Sequence, residues 1–256
     1  MSGTAPAALR AARHVVVFTG AGVSAESGIP TFRDALTGLW SRFDPAQLAT
    51  AGAFERDPAL VWGWYEWRRA LVARAEPNAA HRAIAAMGSR VPKLTLVTQN
   101  VDDLHERAGS RPLRLHGSLF APLCFDCARP AESPPLLHAE EARLEPPRCA
   151  CGGRIRPGVV WFGEALPSDV MESAFEAAGD CDVLLSVGTS SVVYPAAEIP
   201  RVAARSGAVV IQVNPDPTPL DGVATYNLRG AAGAVLPALV RETWATDPEN
   251  RQEEKT

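Results

Sequence analysis

Four of the five cysteines lie between positions 124 and 151, as Cys124-x-x-Cys127 and Cys149-x-Cys151. Clustered thiols in a reducing compartment point to metal before disulfide. Four thiolates at about 2.3 Å would close a tetrahedral zinc site with no position left for water, a structural and not a catalytic metal. The surrounding stretch, 121–157, is rich in proline and poor in apolar residues, so a metal would hold it together. The single residue between Cys149 and Cys151 makes a tight second pair. Cys181 precedes the apolar run DVLLSVG and is expected to be a small buried residue.

A second set of residues could bind a nucleotide. GAGVSAESGIPTFRD occupies 20–34, and Gly20, Gly22 and Ala25 fit the dinucleotide fingerprint G-x-G-x-x-G/A. Glycines let backbone approach a pyrophosphate, and a following helix would offer N–H donors and its positive dipole end. A plain tight turn satisfies the same pattern. A dehydrogenase would add an acidic residue on a second strand about 20 residues later. ALTGLWSRFD stands there instead, with no strand to present Asp44, which argues against hydride transfer. Further polar residues lie at or just beyond expected strand ends: Gln99, Asn100 and Asp102 in QNVDDLHERAG, His116 in LHGSL, and the segments GTSSVVYP and VNPDP. An imidazole of ordinary pKa about 6.5 can take up a proton near neutral pH.

The elements that must position these groups alternate along the chain. Val15–Thr19, Leu94–Thr98, Val159–Phe162, Val183–Val187 and Val209–Val213 are short apolar runs of the kind that form strands buried on both faces. Helical segments are expected over Asn78–Met87, Pro167–Ala178 and Ala196–Arg205. The alternation predicts an α/β protein, a Rossmann-like doubly wound parallel sheet, whose strand ends gather the polar residues into one crevice. Residues 1–33, 78–120 and 158–245 would form that domain. Residues 34–77 would be a helical insertion, 121–157 a small zinc-binding module and 246–256 a polar tail.

Composition sets outer limits. With 256 residues, 46% hydrophobic, and a net charge of −4, the chain can bury a sizeable core and carries no global positive field for nucleic acid. No apolar run reaches the roughly 20 residues that span a bilayer. The N-terminal apolar run leads into a strand and not a cleavage site, so the expected location is cytoplasmic.

The octet WGWYEWRR, residues 62–69, holds three of the six tryptophans. On a helix Tyr65 and Arg68 share a face, with Trp64, Trp67 and Leu71 as an adjoining apolar stripe. Core packing explains the tryptophans; it gives no reason for the Tyr–Arg pair.

In order and spacing, these motifs, with RPGVVWFGE, resemble the sirtuins, NAD-dependent protein lysine deacylases, over about residues 13–240. The resemblance implies removal of acyl groups from lysine, giving nicotinamide, O-acyl-ADP-ribose and free lysine. It places NAD against Gly20, Ala21, Gly22, Ser24, Ala25 and Glu26, with Phe32 and Arg33 covering and orienting it. The adenosine would lie near Gly188, Thr189, Ser190 and Asn214, and Gln99, Asn100 and Asp102 would hold the nicotinamide ribose and carboxamide. His116 would be the general base, with Asn100 beside it in catalysis, and Zn2+ would sit in the four cysteines. The acyl-lysine protein would bind as a strand between the domains along Val160, Gly163 and Glu164, with Phe162 lining the acyl tunnel. A Tyr-x-x-Arg pair at Tyr65 and Arg68 marks the subgroup that removes acidic acyl groups, so succinyl and malonyl as well as acetyl are the expected substrates. Asp103 stands where many relatives have glycine, a strain if that position needs positive φ. The alternatives from other classes are an NAD-dependent ADP-ribosyltransferase and a non-catalytic nucleotide-binding module.

Overall fold

The computed structural model describes residues 4–31, 44–136 and 143–244. Six strands form one parallel sheet: β1 (His14–Thr19), β2 (Lys93–Thr98), β3 (Leu113–Arg114), β6 (Val183–Val187), β7 (Val209–Val213) and β8 (Tyr226–Leu228), in the order β3-β2-β1-β6-β7-β8. The chain winds outward from β1 to β3, then returns to lay β6 against the other side of β1. This reversal opens a crevice at the carboxyl ends of β1 and β6, where doubly wound sheets bind ligands.

The central strands β1 and β6 are buried at every position because both faces are covered. Val15 and Val17 face one core with α1 (Ala5–Ala11), α5 (Ala79–Met87) and α9 (Ala232–Trp244). Val16 and Phe18 face the other with α7 (Ser168–Asp180) and α8 (Ile199–Arg205). Side chains two apart share a face, so β1 alone supplies both layers.

A third core lies outside the sheet. It joins α3 (Ala51–Arg56) and α4 (Pro58–Arg74) to an antiparallel pair, β4 (Gly117–Cys124) and β5 (Ile155–Val159). Two short helices, α2 (Pro45–Leu48) and α6 (Leu104–Arg107), complete the set. The apolar run at Val159–Phe162, expected in the parallel sheet, is not there. Its strand is Ile155–Val159, and it pairs with β4. A short apolar run does not say which partner will cover it.

Helix α4 carries the aromatic octet. Asp57 caps its start, accepting from the Leu60 N–H at 3.2 Å, and Pro58 needs no hydrogen-bond partner there. The buried face is not the expected stripe. Trp62, Trp64, Tyr65, Glu66, Arg69 and Val72 are buried, while Trp67 and Leu71 are half-buried. Glu66 and Arg69 stay inside because they pair with each other at 2.6 Å, and Arg69 also donates to the Pro135 carbonyl. No helix among the described residues is long and apolar enough to cross a membrane.

Candidate active site

The glycine loop follows β1 as two 3-10 turns, Ala21–Val23 and Ala25–Ser27, and not as the expected helix start. Its glycines serve contact between loops. The Gly22 N–H donates to the Gly188 carbonyl at 2.8 Å, and a Cβ on Gly188 would come within 2.4 Å of the Val23 nitrogen. The loops after β1 and β6 therefore interlock at the crevice. Exposed Glu26 accepts the Gly233 N–H at 2.6 Å, which ties the loop to the first turn of α9.

Ser24 is the hub of the crevice floor. Its buried hydroxyl donates to Asp102 Oδ2 at 2.9 Å and accepts from Asn100 Nδ2 at 3.1 Å. His81 Nε2 approaches the same oxygen at 3.4 Å, while His81 Nδ1 lies 3.3 Å from the Asn78 backbone nitrogen in a capping box at the start of α5. Below it, His105 Nε2 meets Thr19 Oγ1 at 3.1 Å, and Thr19 donates to Thr98 at 2.8 Å. The two imidazole rings pack edge to face, 4.8 Å apart. Burial holds both neutral, pulling His81 down to about 4 and His105 to about 3, and pushes the Asp102 carboxyl up.

Above this floor a second row crosses three strand ends. Gln99 Nε2 donates to Thr189 Oγ1, and Asn214 Nδ2 donates to the Thr189 carbonyl, each at 2.9 Å. Half-buried Ser190 follows Thr189. The side-chain oxygens of Gln99 and Asn100 find no protein donor among the described residues. Such oxygens suit the hydroxyls and carboxamide of a nucleotide. Arg114 fixes the backbone beneath them, donating to the carbonyls of Asn100, Asp102 and Gly117 and pairing with Glu106.

His116 Nδ1 meets the Gln99 carbonyl at 2.8 Å. A carbonyl can only accept, so the proton sits on Nδ1 and leaves the Nε2 lone pair for a base. Burial lowers the pKa of this imidazole, and the Gln99 carbonyl offsets part of that effect. Asp103 has φ −110, so aspartate meets no strain there and no glycine is required.

The four sulfurs lie within 4.8 Å of one another, with Cys124–Cys151 at 3.5 Å and Cys127–Cys149 at 3.8 Å. A tetrahedron with metal–sulfur bonds of about 2.3 Å has edges of about 3.8 Å, so the set fits Zn2+. The tight second pair is accommodated by a turn at Gly152, φ 90, with the Cys149 N–H donating to the Gly153 carbonyl at 2.8 Å. Arg129 donates to Cys127 Sγ and draws that thiol down to about 6, toward the thiolate a metal needs.

On α4, Tyr65 is 3% exposed and its hydroxyl oxygen accepts the Trp161 indole N–H at 3.0 Å. The Arg68 guanidinium carbon lies 5.0 Å from the Trp64 ring centroid and 5.9 Å from that of Tyr65. Burial pushes the Tyr65 phenol up to about 12, so it remains a donor at neutral pH. Burial also lowers the Arg68 pKa, while Asp102 and Tyr65 act to raise it.

A family model described as the Sir2 family matches residues 20–195. The chain belongs to the Sir2 family. This Sir2-family chain is 61% identical over 240 residues to a Methylococcus capsulatus protein named NAD-dependent protein deacylase, covering 92% of this chain and 94% of that one. A crystal structure of a Sir2 homologue with NAD superposes with a TM-score of 0.86 at 47% identity, covering 93% of this chain and 92% of that chain. A Sir2 structure bound to a myristoylated histone peptide gives 0.76 at 38%, covering 93% and 94%.

The Sir2 crevice brings together Gly20, Gly22, Ser24, Gln99, Asn100, Asp102, His116, Thr189 and Asn214 from the ends of β1, β2, β3, β6 and β7. Phe32 and Arg33 lie outside the described residues. The 160–164 segment is more committed than expected. Val160 and Phe162 donate their N–H groups to the His116 and Ala49 carbonyls, and Glu164 donates its own to Trp161, leaving only the Gly163 N–H of these four without a partner among the described residues. The Glu164 carboxylate turns inward to Arg156 and the Trp161 N–H. Burial alone would raise its pKa, but these partners outweigh it and hold the carboxyl low. Phe162 is 51% exposed.

Sequence reading missed His81, His105, Arg114, Arg156 and Trp161. Asn78 three residues before His81 was a helix-start signal; the others meet their partners only through tertiary contacts.

Proposed function

We propose that this chain removes from protein lysine side chains acyl groups that end in a carboxylate, succinyl and malonyl foremost, with acetyl also accepted. The underlying activity is NAD-dependent protein lysine deacylation. Its support is Sir2 membership, a relative named NAD-dependent protein deacylase at 61% identity, and a crevice whose unsatisfied amide oxygens suit the dinucleotide. When bound, NAD would supply an activated glycosidic carbon with nicotinamide as the leaving group and a ribose hydroxyl to accept the acyl group; with one water consumed, the products are nicotinamide, O-acyl-ADP-ribose and free lysine.

The residues divide this work. The interlocked Gly22–Gly188 loops admit the phosphates, and Gln99, Asn100 and Asn214 orient the nucleoside ends. His116 takes up a proton at Nε2 from a hydroxyl at the reacting sugar, because Gln99 keeps Nδ1 protonated. Zn2+ held by Cys124, Cys127, Cys149 and Cys151 keeps the module folded and takes no part in the reaction. The protein substrate runs as a strand past residues 160–164, with the Gly163 N–H as the donor left for it and Phe162 at the acyl entrance.

The observation that carries the acyl preference is the Tyr65–Arg68 pair. A guanidinium stacked on Trp64 beside a buried protonated phenol makes a two-donor site for one terminal carboxylate. A panel of acetyl-, malonyl-, succinyl- and glutaryl-lysine peptides with NAD tests it. Arg68→Met should lower the succinyl-to-acetyl ratio of kcat/KM by roughly 10- to 100-fold, the range expected for a charge-assisted hydrogen bond. Equal losses on both peptides would return Arg68 to a packing role.

A further inference from the structure

Tyr65 has an unfinished hydrogen-bonding group. Its oxygen accepts the Trp161 indole N–H at 3.0 Å, and the two side chains come from residues 96 apart. An indole nitrogen only donates, so the direction of this bond is settled: the phenol oxygen accepts, and its own proton needs a different acceptor. Among the described residues the phenol proton has none. Tyr65 is 3% exposed and Trp161 1%, so bulk water does not readily complete the set.

Trp161 is held more firmly than packing would require. Its backbone N–H donates to Glu164 Oε2 at 2.8 Å. The Arg156 guanidinium lies 3.5 Å from its ring centroid and is itself paired with Glu164. Phe54 and Phe125 close in at centroid distances of 5.4 and 6.2 Å. Phenylalanine would fill an apolar niche of this kind with no nitrogen to place. Here the nitrogen points at the one phenol oxygen beside Arg68.

We propose that Trp161 is the positioning residue for acyl selection: by donating to Tyr65 it turns the phenol proton outward, toward the carboxylate that Arg68 holds. The assignment rests on the carboxylate reading of the Tyr65–Arg68 pair. A terminal carboxylate supplies the missing acceptor; an acetyl group ends in a methyl and supplies none. Accepting from the indole also polarises the phenol, making it a stronger donor. Glu164 and Arg156 thereby act on the acyl pocket at one remove, through the ring they clamp.

The test is a set of variants assayed on succinyl- and acetyl-lysine peptides with kcat and KM separated. Trp161→Phe should raise KM for succinyl-lysine about tenfold, as for loss of a hydrogen bond to a charge, and move kcat far less. Tyr65→Phe should do the same, and the double variant should be no worse than Tyr65→Phe alone. Additive losses, or equal losses on both peptides in Trp161→Phe while the loss in Arg68→Met falls on succinyl-lysine alone, overturn the role of Trp161 and leave the Arg68 clamp standing. Equal losses in Arg68→Met as well remove both. If Trp161→Phe does not fold, the wild type decides: the Trp161 indole N–H resonance should shift on adding succinyl-lysine peptide and not acetyl-lysine peptide. Identical responses would refute the proposal.

Discussion

The two walls of the site are built from different materials. The nucleotide wall, at the ends of β1, β2, β6 and β7, consists of hydroxyls, amides, neutral imidazoles and interlocked loop backbone around Ser24, Gln99 and Thr189. The acyl wall, where α4 meets β5 and the residues after it, is built from stacked aromatics and charge: Trp64, Tyr65, Trp161, Arg68 and the Arg156–Glu164 pair. The nucleotide wall must present many weakly polar groups to a large neutral or anionic ligand, so rigidity of backbone matters most. On the proposed function the acyl wall would distinguish small groups by their terminal atoms, and a desolvated charged or polar group is what discriminates strongly.

That contrast can be broken from either side. The largest effect is expected at His116, whose loss acts on the reaction and not on selection. His116→Ala should reduce kcat by roughly 100- to 10,000-fold for every acyl peptide alike. In the unaltered protein, the acid limb of kcat/KM should fall below pH 6.5, since burial lowers this imidazole and the base works unprotonated. A selective loss on one acyl group would put His116 on the acyl wall.

Next is the metal module beneath the acyl wall. Cys151→Ser should release zinc, measured by metal content, and lower Tm by about 10 °C. Phe125 packs on Trp161, and Phe125 follows Cys124 directly, so succinyl-lysine activity should fall further than acetyl-lysine activity at permissive temperature. Retained zinc and unchanged Tm would separate the cysteines from the fold.

The smallest effect concerns the nucleotide floor. His81 and His105 have folded pKa values of about 4 and about 3, below the ordinary 6.5, so the unfolded chain binds more protons at mildly acidic pH. Stability from these two groups is present above about pH 6.5 and is lost as pH falls toward 4. Tm should drop between pH 7 and pH 5, and the drop should shrink in His105→Gln. An unaltered slope would mean that His105 binds its proton equally well in the folded and unfolded chain, so that burial does not lower it.

The residues of the nucleotide wall were legible because they are local. Gly20–Ser24, Gln99–Asp102 and Thr189 each follow an apolar run, His116 lies just beyond a short strand, and a doubly wound sheet brings its strand ends to one edge whatever the details. The cysteine cluster was legible from spacing, and the meeting of Tyr65 and Arg68 on one helix face from their separation of three. Other expectations failed where a second segment decided the outcome. The Val159–Phe162 run did not enter the parallel sheet because β4 was there to pair with Ile155–Val159. The stripe on α4 shifted because Glu66 and Arg69 neutralise each other inside the core. Apart from these, the direction of the Glu164 carboxylate had no local signal: it turns inward, where Arg156 gives it two hydrogen bonds.

What the sequence by itself determined is the chemistry available: a base, a nucleotide crevice, four thiols and a Tyr–Arg pair, each set by residue type and short-range period. What only the tertiary structure decided is direction. The His116 proton sits on Nδ1 because the Gln99 carbonyl is across from it, and the Tyr65 proton faces outward because an indole from 96 residues away donates to its oxygen. Residue type limits which atoms can donate or accept; only a partner brought up by folding settles which of them does.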